Sequence, residues 1–188
     1  MSLSKEQIMK NYTKFISTGD KYNFLTEELK QFLGTDIITA PASTLTSLHN
    51  AFEGGLIAHT LLVTKYALSI NGILPETLKV NQESLIKICC LHQIGKVKLY
   101  IPETSDWHIK NMGRTYNFNQ ELVSMRVGER SAYYALSNGV NLTEDEYSSI
   151  IGFDKDEDDK MNKWHATMLG TILKQANELA IKEEKLIS

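Results

Sequence analysis

The segment from Asn81 to Gly95 constrains the fold of this chain most strongly. An asparagine suited to capping a helix comes first, and a glycine ends the segment, whose apolar residues are Leu85, Ile86, Ile88, Cys89 and Leu91. A helix that is apolar on most of its sides has little surface to offer to water, so it belongs at the centre of a domain. The segment therefore predicts a helical fold built around one buried helix.

Further helical signals flank this segment. Ser4 followed by Gln7 forms a capping box, and Thr143 followed by Glu146 forms a second one. Hydrophobic periodicity and glycine stops predict helices over about 4–17, 23–33, 56–72, 124–138, 143–151 and 162–184. We expect the N-terminal helices of residues 1–40 to pack on the rest, and the chain of 1–188 to form a single domain.

One stretch departs from the helical pattern. "KLYIPETSDWHIKNMGRTYNFN" is rich in β-favouring residues around Asn111, Met112 and Gly113, which have the character of a hairpin turn. The sequence therefore predicts an all-α domain, a helical bundle with one small inserted β-hairpin.

Charge and cysteine usage narrow the function classes. The net charge of -3 gives no basic field for nucleic acid or an anionic membrane, so nucleic-acid binding is not expected. No apolar run approaches the ~20 residues that span a bilayer, and no membrane association is expected. The two cysteines are adjacent, Cys89 and Cys90, and follow no secretory signal, so we expect a reducing, cytoplasmic location.

Two motifs carry the candidate chemistry, "HNAFEGGLIAHTLLV" and "CCLHQIGKV". His59 lies in the first turn of one predicted helix, and His92 lies near the end of the buried helix. Two helices placed side by side could bring both imidazoles to one metal ion. The alternative from spacing alone is that both are core histidines satisfied by hydrogen bonds.

These motifs resemble the HD-domain metal-dependent phosphohydrolases. "GGLxxHT", a buried "LHDxGK" and a closing helix with an Asp follow the ligand order of that family. The hairpin after "GKVKLY", the "GERS" helix followed by "NGVNLTEDE", the "GFD" turn and "ILKQANELA" resemble a small HD subgroup of bacteria and their phages. The resemblance covers about residues 41–182 and implies an HD-type fold.

Mapped onto this chain, the resemblance gives a site that lacks its carboxylates. Its metal ligands would be His59, His92, Gln93 and Asn177, with Gln93 and Asn177 standing where the family has Asp. Two further family histidines fall on Val127 and near Ile150. The resemblance implies catalytic roles for His92, Gln93 and Lys96, and substrate-binding roles for His49, Lys96, Glu129 and Arg130.

The loss of both carboxylates has a physical consequence. A 2+ ion held by two neutral imidazoles and two amides lacks compensating charge in a partly buried pocket, which is costly. A divalent metal, Mn, Fe, Zn, Ni or Mg, is therefore expected to bind weakly or not at all. Such an ion cannot efficiently activate water as a nucleophile.

The sequence thus supports several functions. The first is a degenerate phosphohydrolase-like protein, weakly active or non-catalytic, that binds a small phosphorylated ligand or a protein partner. The second is a working metal-dependent phosphohydrolase acting on a nucleotide or small phosphoester. A 3′-to-5′ nuclease, suggested by similar "GGLxxHT" motifs, is disfavoured by the acidic net charge.

Other polar residues have simpler interpretations. His49 is either a pocket residue or a loop cap, His108 is expected on the surface, and His165 is expected in helix packing. The acidic run "DKDEDDK" lacks the Gly and terminal Glu of a calcium loop, so a solvated loop is expected.

Overall fold

The computed structural model describes residues 2–154 and 166–187. Within them the chain is helical, with one pair of short strands, as the all-α prediction with a small hairpin required. The helices are α1 Lys5–Lys21, α2 Glu27–Leu33, α3 Asp36–Thr39, α4 Gly55–Ile73, α5 Gln82–Leu91, α6 Asp106–Met112, α7 Val127–Ser137, α8 Glu144–Gly152 and α9 Met168–Ile187, and the strands are β1 Tyr100–Pro102 and β2 Tyr116–Phe118.

Helix α5 occupies the centre, as its sequence predicted. Its six apolar residues from Leu85 to Leu91 are all buried, with exposures of 0–3%. It packs against α4, α7, α8 and α9, with α4 and α9 also packed against each other. Cys89 and Cys90 are buried as free thiols in this core. The central layer of the fold is therefore the trio α4, α5 and α9.

Side-chain caps fix where several helices begin. The hydroxyl of Ser4 accepts from the backbone N–H of Gln7 at 3.2 Å, and Thr143 and Glu146 form the reciprocal bonds of a capping box. The second helix begins at Glu27, later than the predicted residue 23, because Thr26 supplies the cap and Asn23 has a left-handed φ of 51°. The buried helix ends at Leu91, and a short 3-10 turn, Ile94–Lys96, follows.

The structure has the two predicted strands but lacks the predicted tight turn between them. The strands β1 and β2 do pair antiparallel, with Ile101 opposite Asn117. However, α6 lies between them, and Gly113 ends that helix with a φ of 61° instead of forming a two-residue turn. Ser105 caps α6 through the N–H of His108 at 3.4 Å, a local hydrogen bond that favours helix over turn.

The expectation that no segment is apolar enough to span a membrane does not hold for helix α4. Among the described residues it has that length and composition, with 19 residues and a mean hydropathy of 1.2 in its most apolar window. It nevertheless carries the buried polar residues His59, Thr60 and Asn71 and lies against α5 and α9. A core helix has these properties, so composition alone does not indicate a membrane span.

Candidate functional site

The mapped residues His59, His92, Gln93 and Asn177 meet where α4, α5 and α9 converge. The rings of His59 and His92 have centroids 6.4 Å apart, and both side chains are fully buried. Asn177 projects from α9 and places its Oδ1 2.9 Å from Nε2 of His59. The arrangement therefore brings together all four residues that the sequence resemblance selected as ligands.

A turn held by α7 positions His92 and Gln93. The hydroxyl of Ser131 donates to the carbonyl of His92 at 2.8 Å and accepts from the N–H of Gly95 at 2.9 Å. A Cβ at Gly95 would lie 2.6 Å from the carbonyl oxygen of Val127, so only glycine permits this approach. The "HQIGK" turn is thus fixed by a neighbouring helix.

His92 presents an available nitrogen. Its Nδ1 lies 2.8 Å from the carbonyl oxygen of Cys89 and must donate to it, which leaves a lone pair on Nε2. That Nε2 is buried and has no hydrogen-bond partner among the described residues. Burial in this apolar setting, followed by the charge of His59, lowers the pKa of His92 to about 3. His92 is thus a neutral imidazole with one free acceptor.

Gln93 and Asn177 are tied into one directed chain of hydrogen bonds. The ammonium of Lys96 donates to Ala42 O at 2.6 Å and to Oε1 of Gln93 at 2.7 Å. Because Lys96 can only donate, the amide nitrogen of Gln93 must face the other way, where it donates to Oδ1 of Asn177 at 3.0 Å. Asn177 therefore turns its oxygen toward His59.

This chain determines the tautomer of His59. Its Nε2 is 2.9 Å from the Asn177 oxygen and 3.3 Å from the Gln93 nitrogen. Only a proton on Nε2 satisfies the shorter contact, since two acceptors would otherwise face each other. On the opposite side of the ring, Nδ1 of His59 lies 2.8 Å from Oε2 of Glu184.

Glu184 completes the network from the last helix. Its other oxygen accepts from Nδ2 of Asn50 at 2.6 Å, and the residue is 8% exposed. Burial raises the pKa of Glu184 to about 8, and burial together with the charge of Lys96 lowers the pKa of His59 to about 3. At neutral pH the Glu184 hydroxyl therefore donates to Nδ1 of a neutral His59, and the contact is not an ion pair.

His49 lies close to both His59 and Glu184. The two imidazole rings have centroids 4.7 Å apart, and Nε2 of His49 is buried with no hydrogen-bond partner among the described residues. The close approach of the loop requires Gly55, because a Cβ there would lie 2.2 Å from the carbonyl oxygen of Asn50. His49 therefore packs against the ring of His59, and its substrate-binding role stays a prediction.

The remaining predicted residues lie elsewhere. Glu129 is exposed, and its carboxylate accepts from the backbone N–H of Arg126 at the start of α7. Arg130 is buried and donates to the carbonyl of Val123, with its Nε unpaired among the described residues. His108 is partly exposed and pairs with Glu103 at 3.0 Å. His165 and the run 155–160 lie outside the described residues.

Two sets of donors could be considered for a metal. The mapped set fits poorly, because the Nε2 of His59 carries a proton and no carboxylate is present, although Nε2 of His92 is available. A second set, His49, His59 and Glu184, has ligand atoms within 4.8 Å of one another and includes a carboxylate. Sequence motifs missed Glu184, although its spacing of seven residues from Asn177 places both on one helix face.

A surface cavity of about 430 Å³ has none of these histidines in its lining. It is bordered by α3, the hairpin strands and the segments between them; its lining includes Pro41, Glu53, Lys98, Tyr100 and Tyr116. Ala40 and Pro41 border it, and the next residue, Ala42, accepts from Lys96. The cavity is thus close along the chain to the histidine cluster but contains none of the mapped residues.

A comparison with known proteins found a relative that is similar to part of this chain. A dihydroneopterin 2',3'-cyclic phosphate phosphodiesterase of Methanocaldococcus jannaschii is 41% identical over 70 residues. The matched segment covers 36% of this chain and 27% of that relative, so the chain spans little more than a quarter of its length in the match. No family model and no solved structure matches the chain. The chain is therefore similar, over part of its length, to a phosphodiesterase.

Proposed function

We propose that this protein binds a small phosphorylated ligand and that its His59–His92 centre is weakly active or non-catalytic. The observation that carries the proposal is the hydrogen-bond chain from Lys96 through Gln93 and Asn177 to His59. The neutral amides of Gln93 and Asn177 occupy the positions where the HD resemblance places carboxylates, and both amides already have hydrogen-bond partners. A divalent ion there would displace these bonds and gain no opposite charge.

The energetic argument follows from burial. Gln93 is 2% exposed and Asn177 is 9% exposed, so an ion between them would be removed from water. Lys96, which is also buried, adds a like charge next to Gln93. Both terms oppose a 2+ ion, and a weakly held ion cannot supply hydroxide at neutral pH.

The ligand class rests on similarity and on charge. The relative named above is, by its name, a phosphodiesterase of a cyclic phosphate. Two buried cations are close to this site. Lys96 is the last residue of the "HQIGK" turn, and Arg130 lies on α7, the helix that holds the turn. We therefore propose a phosphoester as ligand and keep a protein partner as the other possibility for a binding role.

A working phosphohydrolase is the second candidate, favoured by the same partial similarity to an enzyme. It would act on a nucleotide or a small phosphoester with a divalent metal. Under this alternative, purified protein would hydrolyse substrate in proportion to the metal it carries.

Binding and turnover can be tested in parallel on the full chain. A 2′,3′-cyclic nucleotide, a nucleoside monophosphate and inorganic phosphate are titrated while the melting temperature is followed. Hydrolysis of bis(4-nitrophenyl) phosphate is measured with and without Mn²⁺ and Zn²⁺. We expect a melting shift with at least one phosphoester and no metal-dependent turnover above the no-enzyme rate.

Matched variants make the test specific. Lys96→Met should reduce the ligand-induced shift, whereas Lys110→Met, which removes a surface cation paired with Asp106 at 3.6 Å, should leave it unchanged. Metal-dependent turnover by wild type would place hydrolysis first. No shift with any phosphoester would refute a phosphoester-binding role.

A further inference from the structure

The two nitrogens of His59 face different surroundings. Nε2 is committed to Asn177 as a donor, as argued from the direction of the Lys96–Gln93–Asn177 chain. The ring's lone pair is therefore on Nδ1, which faces Glu184 at 2.8 Å. A metal ion approaching His59 finds an electron pair on this side and an N–H on the mapped side.

Two further donors lie close to His59, and one of them, Glu184, faces Nδ1 directly. Nε2 of His49 is buried and unpaired among the described residues, and the ring is 4.7 Å from that of His59. The Glu184 carboxyl group provides an oxygen, and ligand atoms of the three residues lie within 4.8 Å of one another. Four-coordinate zinc with bonds of about 2.1 Å has neighbouring ligand atoms about 3.4 Å apart.

We propose that a divalent metal ion such as zinc binds to His49, Glu184 and Nδ1 of His59. This site lies at the edge of the His59 ring opposite the mapped centre. Two imidazoles and one carboxylate, with a position left for water or an anion, are a donor set used by zinc enzymes. The single carboxylate supplies the negative charge that the mapped centre lacks.

The amides that weaken the mapped centre support the displaced site. A metal-bound histidine usually donates its other N–H to an oxygen that fixes ring orientation and raises ligand basicity. Here His59 donates to Oδ1 of Asn177, Gln93 holds that amide, and Lys96 holds Gln93. Gln93 and Asn177 would thus orient a ligand instead of being ligands.

Admitting the ion requires shifts of about 1 Å, because ligand atoms that now lie within 4.8 Å of one another must come to about 3.4 Å. The ion would lie between Nδ1 of His59 and Oε2 of Glu184, so this pair of atoms must separate from 2.8 Å to about 3.4 Å. Asn50 holds the other oxygen of Glu184 at 2.6 Å and keeps the carboxylate in place. The inference does not depend on the proposed phosphoester ligand.

The test is a zinc titration of tag-free, metal-stripped full chain by calorimetry, with melting curves recorded in parallel. The variants are His49→Gln, Glu184→Gln and His92→Gln, with Glu178→Gln as the matched control because it removes an exposed carboxylate from the same helix. We expect one zinc ion per chain in wild type. His49→Gln and Glu184→Gln should weaken it by more than about 100-fold, while His92→Gln and Glu178→Gln should not.

Glu184→Gln separates loss of a ligand from loss of the fold. A glutamine amide can donate to Nδ1 of His59 and accept from Asn50, as the protonated carboxyl group does, so the metal-free melting temperature should change little. Long-range ¹H–¹⁵N spectra of the histidine side chains provide a direct readout. Zinc should shift Nδ1 of His59 and leave its Nε2 protonated.

Three outcomes would overturn the proposal. Zinc lost in His92→Gln but kept in Glu184→Gln would place the ion at the mapped centre. Equal affinity in all variants would indicate adventitious surface binding, and no binding to wild type would show that the three donors are not a site.

Discussion

Asn177 and Glu184 hold the two nitrogens of one imidazole, that of His59, from positions two turns apart on helix α9. Asn177 accepts from Nε2 at 2.9 Å, and Glu184 lies 2.8 Å from Nδ1. Seven residues along a helix return to nearly the same face, so one helix can clamp both edges of a ring presented by α4. These two contacts determine which nitrogen of His59 carries the proton.

Introducing the two carboxylates that the HD resemblance implies should create a metal centre at His59 and His92. Gln93→Asp together with Asn177→Asp returns two negative charges beside His59 and His92, so affinity for Mn²⁺ should rise above that of wild type. In the metal-free protein the two carboxylates repel each other, and the melting temperature should fall slightly. Added metal should recover that loss, because it binds the folded state.

Thermal melting of wild type and double variant, with and without Mn²⁺, measures this effect. The gain should disappear when His92→Gln is added, since His92 belongs only to the mapped centre. If both proteins shift equally with metal, the two amides are not the reason for weak binding there.

Lys96 should make stability depend on pH above neutrality. Burial lowers its pKa from 10.5 to about 8. Between about pH 8 and 10 the unfolded chain keeps this proton and the folded chain loses it, so the lysine's contribution to the free energy of unfolding rises, by up to about 3 kcal/mol.

Urea unfolding of wild type and Lys96→Met at pH 9 to 10 measures this contribution, because that range lies above the pKa of about 8 of Glu184, which Lys96 also influences. The buried thiols of Cys89 and Cys90, whose pKa burial raises, act oppositely but equally in both proteins and cancel in the difference. A difference that stays constant with pH would show that Lys96 titrates normally.

Glu146 should make the free energy of unfolding rise with pH as well, but in the acid range. It is 3% exposed and accepts from Lys87 at 2.7 Å and from the N–H of Thr143 at 2.9 Å. Although burial raises the pKa of this carboxyl group, its hydrogen bonds to Lys87 and its neighbours outweigh that effect, and the pKa is lowered. Its stabilisation is therefore present above the unfolded pKa of about 4.3 and is lost as pH falls through the lower folded pKa.

Glu146→Gln should cost about 1–3 kcal/mol of unfolding free energy at pH 7, because it removes the charge while a glutamine can keep the capping box. The cost should shrink at pH values below the folded pKa. Glu144→Gln, an exposed position on the same helix, is the control and should change stability little. A cost independent of pH would contradict a charge effect.

Gly95 and Gly72 differ in how closely other atoms approach the position of an added Cβ, so alanine substitutions at the two positions can be compared. A Cβ at Gly95 would lie 2.6 Å from the backbone oxygen of Val127, whereas one at Gly72 would meet nothing within 4 Å. Gly95→Ala should therefore destabilise by about 1–3 kcal/mol or more, since α7 must move. Gly72→Ala, inside helix α4, should stabilise by about 0.5–1 kcal/mol.

Urea unfolding of the two alanine variants beside wild type gives both values. If Gly95→Ala is as stable as wild type, the α7 contact that holds the "HQIGK" turn is not tight.

The sequence by itself determined most of the helices and selected four residues that meet in the structure. Local hydrogen bonds at Ser4, Asn81 and Thr143 define helix starts, and the apolar run of α5 requires burial, so both could be predicted from neighbouring residues. His59, His92, Gln93 and Asn177 also followed from motif order. Helix α6 could not be predicted in this way, because the β-favouring residues around it gave a stronger signal than its N-terminal cap.

Only the tertiary structure decided which atoms of these residues can act. The Glu184–His59 and Glu184–Asn50 contacts join residues 125 and 134 positions apart, and no local pattern encodes such a pairing. The proton position on His59 follows from a chain of donors that begins at Lys96 and crosses to α9. Hydrogen-bond direction is a property of the assembled network, so the sequence predicted the imidazole and the fold decided which of its nitrogens carries the proton.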